Sequence, residues 1–292
     1  MKIKESLSIN FQSDNEKEEL NNIIKLIELE TDNNITKFDV YLNYFIRKNS
    51  KIKNDIIEKI LNFLSKKTIH YKSIIKCIST ILELLIDNFQ IITLLNKIIP
   101  ILFINLFLEE NLKNIEAIHD ITKFIGKLIK IGNTHIFGLI EDLIDTIFHN
   151  IFNENSNESN LLYAFINLLN EIMKNSPSIS FNNIIIKNNL GNFICLMEQN
   201  CCNKNDKIRE MSVELTASFI GILKNRDKET KKKNIINLYD TVFNQYKSNV
   251  KINVNANNYY YVNGFILIIK KIYELYPALF NEIGRASCRE RV

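Results

Sequence analysis

Apolar residues recur along this chain at the three- and four-residue spacing of one helix face, and polar turns interrupt them every 15–20 residues. Such a pattern predicts amphipathic helices, each with a broad apolar stripe that only neighbouring helices can cover. Four stripes are the clearest: Ile118, Ile121, Ile125 and Leu128; Leu161, Phe165, Leu168 and Ile172; Ile208, Met211, Leu215, Phe219 and Ile222; and Val262, Phe265, Ile269 and Ile272.

The predicted helices fall into about five pairs. They are 51–64 with 70–87, 90–109 with 112–131, 134–150 with 157–175, 180–199 with 206–224, and 227–247 with 257–275. The second helices recur at intervals close to those of HEAT and armadillo repeats. We therefore expect an all-α fold, a HEAT/armadillo-like helical solenoid of stacked antiparallel helix pairs.

Three segments follow from this division of the chain. Residues 1–50 are expected to hold N-terminal helices, one of which begins at the capping box Ser13-x-x-Glu16. The HEAT-type repeats are expected over 51–281. The run 282–292 resembles vector or adapter read-through, because it abruptly concentrates three of the six arginines of the chain. Because no further pair follows the last predicted pair to cover it, we expect the array of repeats to be truncated.

Composition supports helices over sheets, and it narrows the classes of partner. Glycine occurs seven times and first at Gly126, so the residue that tight β-turns require is absent from the first 125 positions. The formal net charge is only +4 over 292 residues, and part of it comes from the terminal run. A nucleic-acid partner, which needs a strongly basic surface, is therefore not expected.

One apolar run, Ile91 to Leu108, has the length of a membrane span. It contains Lys97 and Pro100, both unfavourable in hydrocarbon, so we expect a buried core helix and at most peripheral membrane contact. The five cysteines form no paired framework, and the N-terminus is polar. Both features favour a cytoplasmic protein, with any endomembrane association peripheral.

Three groups of side chains have the residue types of a metal site, but none makes a complete one: the Glu-x-x-His pair occurs once, the acidic group is expected to be a solvated face, and the cysteines lack paired spacing. They are Glu116 with His119; Glu141, Asp142, Asp145 and His149; and Cys195, Cys201 and Cys202. A di-iron site needs two Glu-x-x-His copies, and zinc sites need paired Cys-x-x-Cys units. Glycine-rich phosphate loops and kinase motifs are also missing. We therefore expect no catalytic residue, no cofactor and no metal in this chain.

Several segments resemble the N-terminal HEAT region of the target-of-rapamycin protein kinases. The family's Lys-x-Ile-Gly-Arg-Leu run ending in Gly-Asp-Thr is similar to Lys123-Phe-Ile-Gly-Lys-Leu-Ile-Lys-Ile-Gly-Asn-Thr134. Its Ile-Arg-Glu helix is similar to Ile208-Arg-Glu-Met-Ser-Val-Glu-Leu215, and further matches are Leu169 to Ile172 and Asn263 to Ile268. Order and spacing hold over about 123–275.

The resemblance implies a scaffold segment of a growth-controlling serine/threonine kinase whose kinase domain lies far C-terminal. Its expected protein partners are a Raptor-type or Rictor-type subunit, and the parent complex is expected to dimerise. An unrelated HEAT adaptor in transport or trafficking is the alternative. The expected partner surface flanks the inner helices, at exposed positions Lys123, Lys127, Lys130, Arg209, Glu210 and Glu214.

Overall fold

A computed structural model gives the fold of part of the chain. It describes residues 53–65, 69–83, 85, 88–153, 159–176, 189–230 and 259–275, together with the single positions 25, 248 and 277. The predicted helices of 1–50, most of the predicted helix 227–247 and the terminal run 282–292 lie outside the described residues. The chain divides into two compact units, Met1–Asn105 and Leu106–Val292.

The first unit contains α1 (Lys53–Leu64), α2 (Tyr71–Glu83) and nearly all of α3 (Asn88–Leu106). The apolar stripes of these helices are buried, as Ile60, Ile78 and Ile98 illustrate with no exposed surface. Lys97 of α3 also forms an ion pair with Glu58 of α1, at 2.5 Å between Nζ and Oε1. The first unit is thus held by an apolar core between its helices and by an ion pair at its surface.

The described residues of the second unit form helices joined by short turns. It contains α4 (Glu109–Leu112), α5 (Ile115–Gly132), a 3-10 turn (Asn133–Ile136), α6 (Phe137–Asn153), α7 (Ser159–Asn175), α8 (Leu190–Asn200), α9 (Asp206–Thr230) and α10 (Tyr259–Leu275). The expected all-α class is confirmed for the described parts of both units, which contain no strand.

Asparagine side chains define several of the helix ends. The Asn114 side-chain oxygen accepts hydrogen bonds from the backbone N–H groups of Glu116 and Ala117, which caps the start of α5. Asn133, with φ of 49°, ends the same helix in a conformation that asparagine tolerates better than most residues. Asn205 caps α9 by accepting a bond from the Lys207 N–H. Asparagine thus caps two helix starts, and at Asn133 it takes the C-terminal position where many helices have glycine.

The helices of the second unit pack in chain order. Helix α5 packs against α7, α7 against α9, and α9 against α10, while α6 contacts α7 and α8 contacts α9. Aromatic rings fill the spaces between layers: Phe193 of α8 stacks on Phe219 of α9 at 5.8 Å and meets Phe148 of α6 edge-on at 4.9 Å. The inner stripes predicted for α5, α7 and α9 are mostly buried, including Ile125 and Leu168.

Two details differ from the sequence-based expectation. Helix α9 runs to Thr230, past the turn expected near 225, because no glycine or proline interrupts 222–230. Helix α10 buries Gly264, Ile268 and Ile272, so that of the predicted stripe Val262, Phe265, Ile269 and Ile272 only Ile272 is fully buried. The rotation of α10 follows from a close backbone contact at Gly264, which periodicity does not encode.

The described helices include none that is both long and apolar enough to traverse a bilayer. The run from Ile91 to Leu108, considered above as a possible span, is largely α3 with Pro100 inside it. Its side chains Leu95, Ile99 and Leu102 have no exposed surface, which agrees with the expected buried core helix.

Candidate interaction surface

Three lysines line the open face of α5. Lys123, Lys127 and Lys130 are all exposed, and their spacing places them in one line along the helix. Within the described part of the chain, none of the three forms a hydrogen bond or an ion pair. We call this set the α5 lysine stripe. Its position agrees with the exposed placement expected from the sequence.

Several other lysines of the described helices are paired. Lys97 binds Glu58, Lys113 binds Glu109 one turn earlier, and Lys271 lies 3.5 Å from Glu274. The lysines of the α5 stripe differ from them because none of the three forms an ion pair with a described residue, although Asp120 stands one turn before Lys123. No ion pair with a described residue therefore neutralises the positive charge of the stripe.

The α5 stripe borders a tight contact with α7. At Gly126 of α5, an added Cβ would lie 2.7 Å from Asn175 Nδ2 and 2.9 Å from Glu171 Oε2, both on α7. Gly126 therefore leaves room for these two side chains of α7 against α5. The Glu171 carboxylate is directed toward Asn175 and Lys174 of its own helix, so it does not neutralise the lysines of α5.

A chain of polar contacts continues across α7 and α9. Lys174 of α7 forms an ion pair with Glu214 of α9 and lies 3.9 Å from Glu171. Burial alone would raise the pKa of Glu214, but the hydrogen bond and positive charge of Lys174 outweigh it, helped by a hydrogen bond from Asn170 and the charge of Lys271. The pKa of Glu214 is therefore lowered, and its carboxylate is held internally.

Glu210 lies one turn before Glu214 and is exposed. Both carboxylates are close enough to Tyr163 of α7 to affect its phenol: burial raises the pKa of Tyr163, and the charges of Glu214 and Glu210 raise it further. The side chains of Tyr163, Glu210 and Glu214 thus lie near one another where α7 packs against α9. Glu210 stays exposed there, as expected, while Glu214 is partly covered.

Arg209 was expected on the exposed surface, and this expectation is wrong. The residue is only 9% exposed. Its Nη1 donates to the Asn203 carbonyl at 2.8 Å, its Nη2 binds Asp206, and its guanidinium lies 5.9 Å from the Tyr260 ring of α10. Two acceptors and an aromatic face compensate the buried charge, so Arg209 joins the start of α9 to α10.

The remaining candidate groups lie apart or on solvated faces. Asp142, Asp145 and His149 are exposed on α6, and Glu116 and His119 are exposed at the start of α5. No three metal-binding side chains come together among the described residues. Cys201 is buried beside Thr216, at 3.1 Å between Sγ and Oγ1, and burial raises its pKa to about 12. Its thiol is therefore protonated and unreactive at neutral pH.

Sequence reasoning missed the role of α7 on this face. Lys174, Asn170 and Tyr163 connect the charged positions of α9 to α7, yet as single polar residues in a helical segment they give no local signal. The spacing of these residues could have predicted a common face, since Tyr163, Asn170 and Lys174 lie on one side of the helix. Their partners on α9 could be found only from the packing.

No protein-family model matches this chain, and no curated protein sequence matches it. The likeness to the target-of-rapamycin HEAT region consequently rests on the segments between 123 and 275 named above.

Proposed function

We propose that this chain is a protein-interaction scaffold: a HEAT-type segment of a target-of-rapamycin kinase that docks accessory subunits of the complex. The observation that carries the proposal is the succession of contacts from α5 to α7, to α9 and to α10. In repeat proteins each unit contacts its neighbours in chain order, and the row of equivalent helices presents one extended surface.

The open faces of these helices suit a protein partner. The α5 lysine stripe and Glu210 are exposed, whereas apolar side chains such as Ile125 and Phe219 are buried beneath them. Charges on such a rim affect the rate of association and the choice of partner more than total affinity. A row of helices with mixed charge therefore favours docking of a folded subunit over binding of a small ligand.

Within this proposal, the catalytic domain belongs to a more C-terminal part of the same polypeptide. The partner is a Raptor-type or Rictor-type subunit, the parent complex is dimeric, and the location is cytoplasmic. The unrelated HEAT adaptor of transport or trafficking remains the second candidate, because stacked helix pairs of this kind also serve such adaptors. A catalytic site within the helices is the least favoured candidate, since the sequence has neither a glycine-rich phosphate loop nor the kinase motifs.

Affinity purification of the full-length gene product from its own organism tests the function. Co-purification of a Raptor-type or Rictor-type subunit, with peptides of a serine/threonine kinase domain in the same polypeptide, supports the proposal. Recovery of nuclear-transport or vesicle-coat components in place of these would support the adaptor. A full-length polypeptide that carries no kinase domain would overturn the target-of-rapamycin assignment whatever its partners.

A further inference from the structure

We infer that the α5 lysine stripe, Lys123, Lys127 and Lys130, is a docking site for an acidic helical segment of a partner protein. The inference deepens the scaffold function proposed above and rests on it. Of the two charged groups predicted as partner surface, one on α5 and one on α9, the inference selects the group on α5. The lysines of α5 are unpaired in the described structure, whereas Glu214 of α9 is held by Lys174.

The stripe has the geometry of a helix-recognition surface. Its three charges stand at i, i+4 and i+7, so they extend over about 10 Å along the helix. A second helix with carboxylates at the same spacing can lie alongside and meet each ammonium group in turn. Lysine side chains are long and flexible, which allows such pairing without close backbone approach.

Lys130 suits the last turn of α5, where a positive charge is favourable, but the rest of the stripe sets like charges one turn apart. Like charges four residues apart, such as Lys123 and Lys127, destabilise a helix by about 0.2–0.5 kcal/mol. The nearest carboxylate across the α5–α7 contact, Glu171, is occupied by Lys174 and Asn175. Three exposed lysines in a line, none in an ion pair with a described residue, therefore point to a partner outside the described structure.

The surroundings of the stripe favour a short acidic protein segment over a long polyanion. Glu116 is exposed on the same face of α5 toward its start, and Glu210 is exposed on α9. A nucleic acid or a membrane surface extending beyond the stripe would meet these carboxylates and be repelled. Arginine, the residue best suited to phosphate recognition, is absent from α5. A helix with one acidic turn or two avoids this repulsion.

The first test is direct binding of a defined probe to the full chain. The probe is a fluorescent helical peptide with glutamates at i, i+4 and i+7, compared with the same peptide carrying glutamines. The expected result is measurable anisotropy change for the glutamate peptide, at least tenfold weaker for the glutamine peptide, and several-fold weaker in 300 mM than in 50 mM salt. Equal binding of both peptides, or binding of neither, would overturn the inference.

Two matched variants locate the binding site. The triple change Lys123→Glu, Lys127→Glu and Lys130→Glu is expected to weaken the glutamate peptide at least tenfold. The control is Lys204→Glu, Lys207→Glu and Lys270→Glu, three exposed lysines elsewhere in the same unit. It alters the net charge equally and is expected to cost less than twofold. Similar losses in both variants would show non-specific attraction and contradict the inference.

Folding of the variants is checked by circular dichroism, and the milder triple change to glutamine provides a second measure. It is expected to reduce affinity less than the glutamate triple and to keep full helicity. Stronger binding of phosphatidylserine vesicles or single-stranded RNA than of the glutamate peptide, lost with the α5 triple, would overturn the choice of an acidic protein segment.

A zero-length carbodiimide cross-link in the purified full-length complex separates this inference from the proposed function. The reagent joins an amine only to a carboxylate in contact with it. Cross-links from Lys123, Lys127 or Lys130 to aspartates or glutamates of a co-purified subunit are expected. Recovery of the Raptor-type or Rictor-type subunit with cross-links only at other residues would support the proposed function and contradict the α5 docking site. Absence of any such subunit would count against the function itself.

Discussion

Gly264 of α10 lies directly against the main chain of Cys201. A Cβ atom added at Gly264 would stand 2.1 Å from the Cys201 carbonyl oxygen and 2.9 Å from its carbonyl carbon. Neither atom belongs to a flexible side chain that could move aside. The contact therefore fixes how closely α10 approaches the turn between α8 and α9, and it explains why α10 buries Gly264, Ile268 and Ile272.

The change Gly264→Ala should loosen α10 from α9. Since the added methyl meets backbone, we expect the free energy of unfolding to fall by about 1–3 kcal/mol, the usual cost of forcing atoms into a packed core. Urea titration measures the loss, and hydrogen exchange should show it concentrated in 259–275.

The control is Gly138→Ala, near the start of α6, where an added Cβ has no neighbour within 4 Å. Alanine is the better helix former, so stability should stay constant or rise by up to about 1 kcal/mol. If both alanine variants behave alike, the Gly264 contact has no role in docking α10.

The periodicity of apolar residues predicted the helices because it depends only on which side chains of one segment share a face. The stripes of α5 and α7 were located correctly, since Ile125 and Leu168 face neighbours on regular, uninterrupted helices. The stripe of α10 was rotated in the prediction, because the Gly264–Cys201 contact lies between segments far apart in sequence. The turn expected near 225 does not form, because a short polar run without glycine or proline does not stop a helix.

The candidate surface was predictable only in part, because the exposure of a charged residue also depends on contacts between helices. Residue type places a lysine or an arginine on the surface, and for Lys123 this was sufficient. For Arg209 it was wrong, because acceptors at Asn203 and Asp206 and a ring at Tyr260 make burial of the guanidinium tolerable. Only the packing of α9 with its neighbours reveals those partners.

The Lys174–Glu214 pair should make stability depend on pH in the acid range. The folded pKa of Glu214 lies below its ordinary value of 4.5. A lowered pKa means that the pair stabilises the fold above about pH 4.5, and that this contribution disappears as the pH falls through the folded pKa. At pH 7 the change Glu214→Gln should cost about 1 kcal/mol, a typical value for a partly exposed pair.

Urea titrations at pH 7, 5 and 3.5 check this expectation. The difference between the native chain and Glu214→Gln should be constant from pH 7 to 5 and shrink at pH 3.5. Glu110→Gln, at an exposed position of α4, is the matched control and should have no such effect. A gap that widens toward acid would contradict the assigned sign.

The cysteines should differ sharply in reactivity. Cys195 is exposed, whereas Cys201 is buried with a pKa of about 12. The thiolate is the reactive form, so iodoacetamide at pH 8 should modify Cys195 and spare Cys201 until urea unfolds the chain. Peptide mass spectrometry reads both sites. Equal labelling rates under native conditions would show that the α8–α9 turn opens readily.

A further consequence concerns alkaline stability. The pKa of Cys201 is raised on folding, so its contribution is complete below the unfolded value near 9.0 and is lost as the pH rises toward 12. Stability of the native chain should therefore decline above pH 9. The variant Cys201→Ala should decline less over the same range, because it has no thiol to ionise in the unfolded state.

Substitution of Arg209 should weaken the fold and leave the charged surface unchanged. The guanidinium donates to the Asn203 carbonyl, pairs with Asp206 and covers the Tyr260 ring, so Arg209→Ala leaves an acceptor unsatisfied and opens space beside α10. Loss of one partner of a buried ionic contact commonly costs about 3–5 kcal/mol. Because Asp206 is largely exposed to water, we expect a smaller loss here, about 1–3 kcal/mol. Lys207→Ala removes a neighbouring exposed charge and should change stability by less than about 0.5 kcal/mol.

Arg209→Lys distinguishes geometry from charge at the same position. Lysine keeps the positive charge but lacks the planar fork that reaches two acceptors at once. We therefore expect it to recover less than half of the stability lost in Arg209→Ala, as measured by urea titration, and to restore little protection to 259–275 in hydrogen exchange. Full recovery by lysine would mean that charge alone suffices. An alanine variant as stable as the native chain would instead return Arg209 to the exposed surface, where its sequence context had placed it.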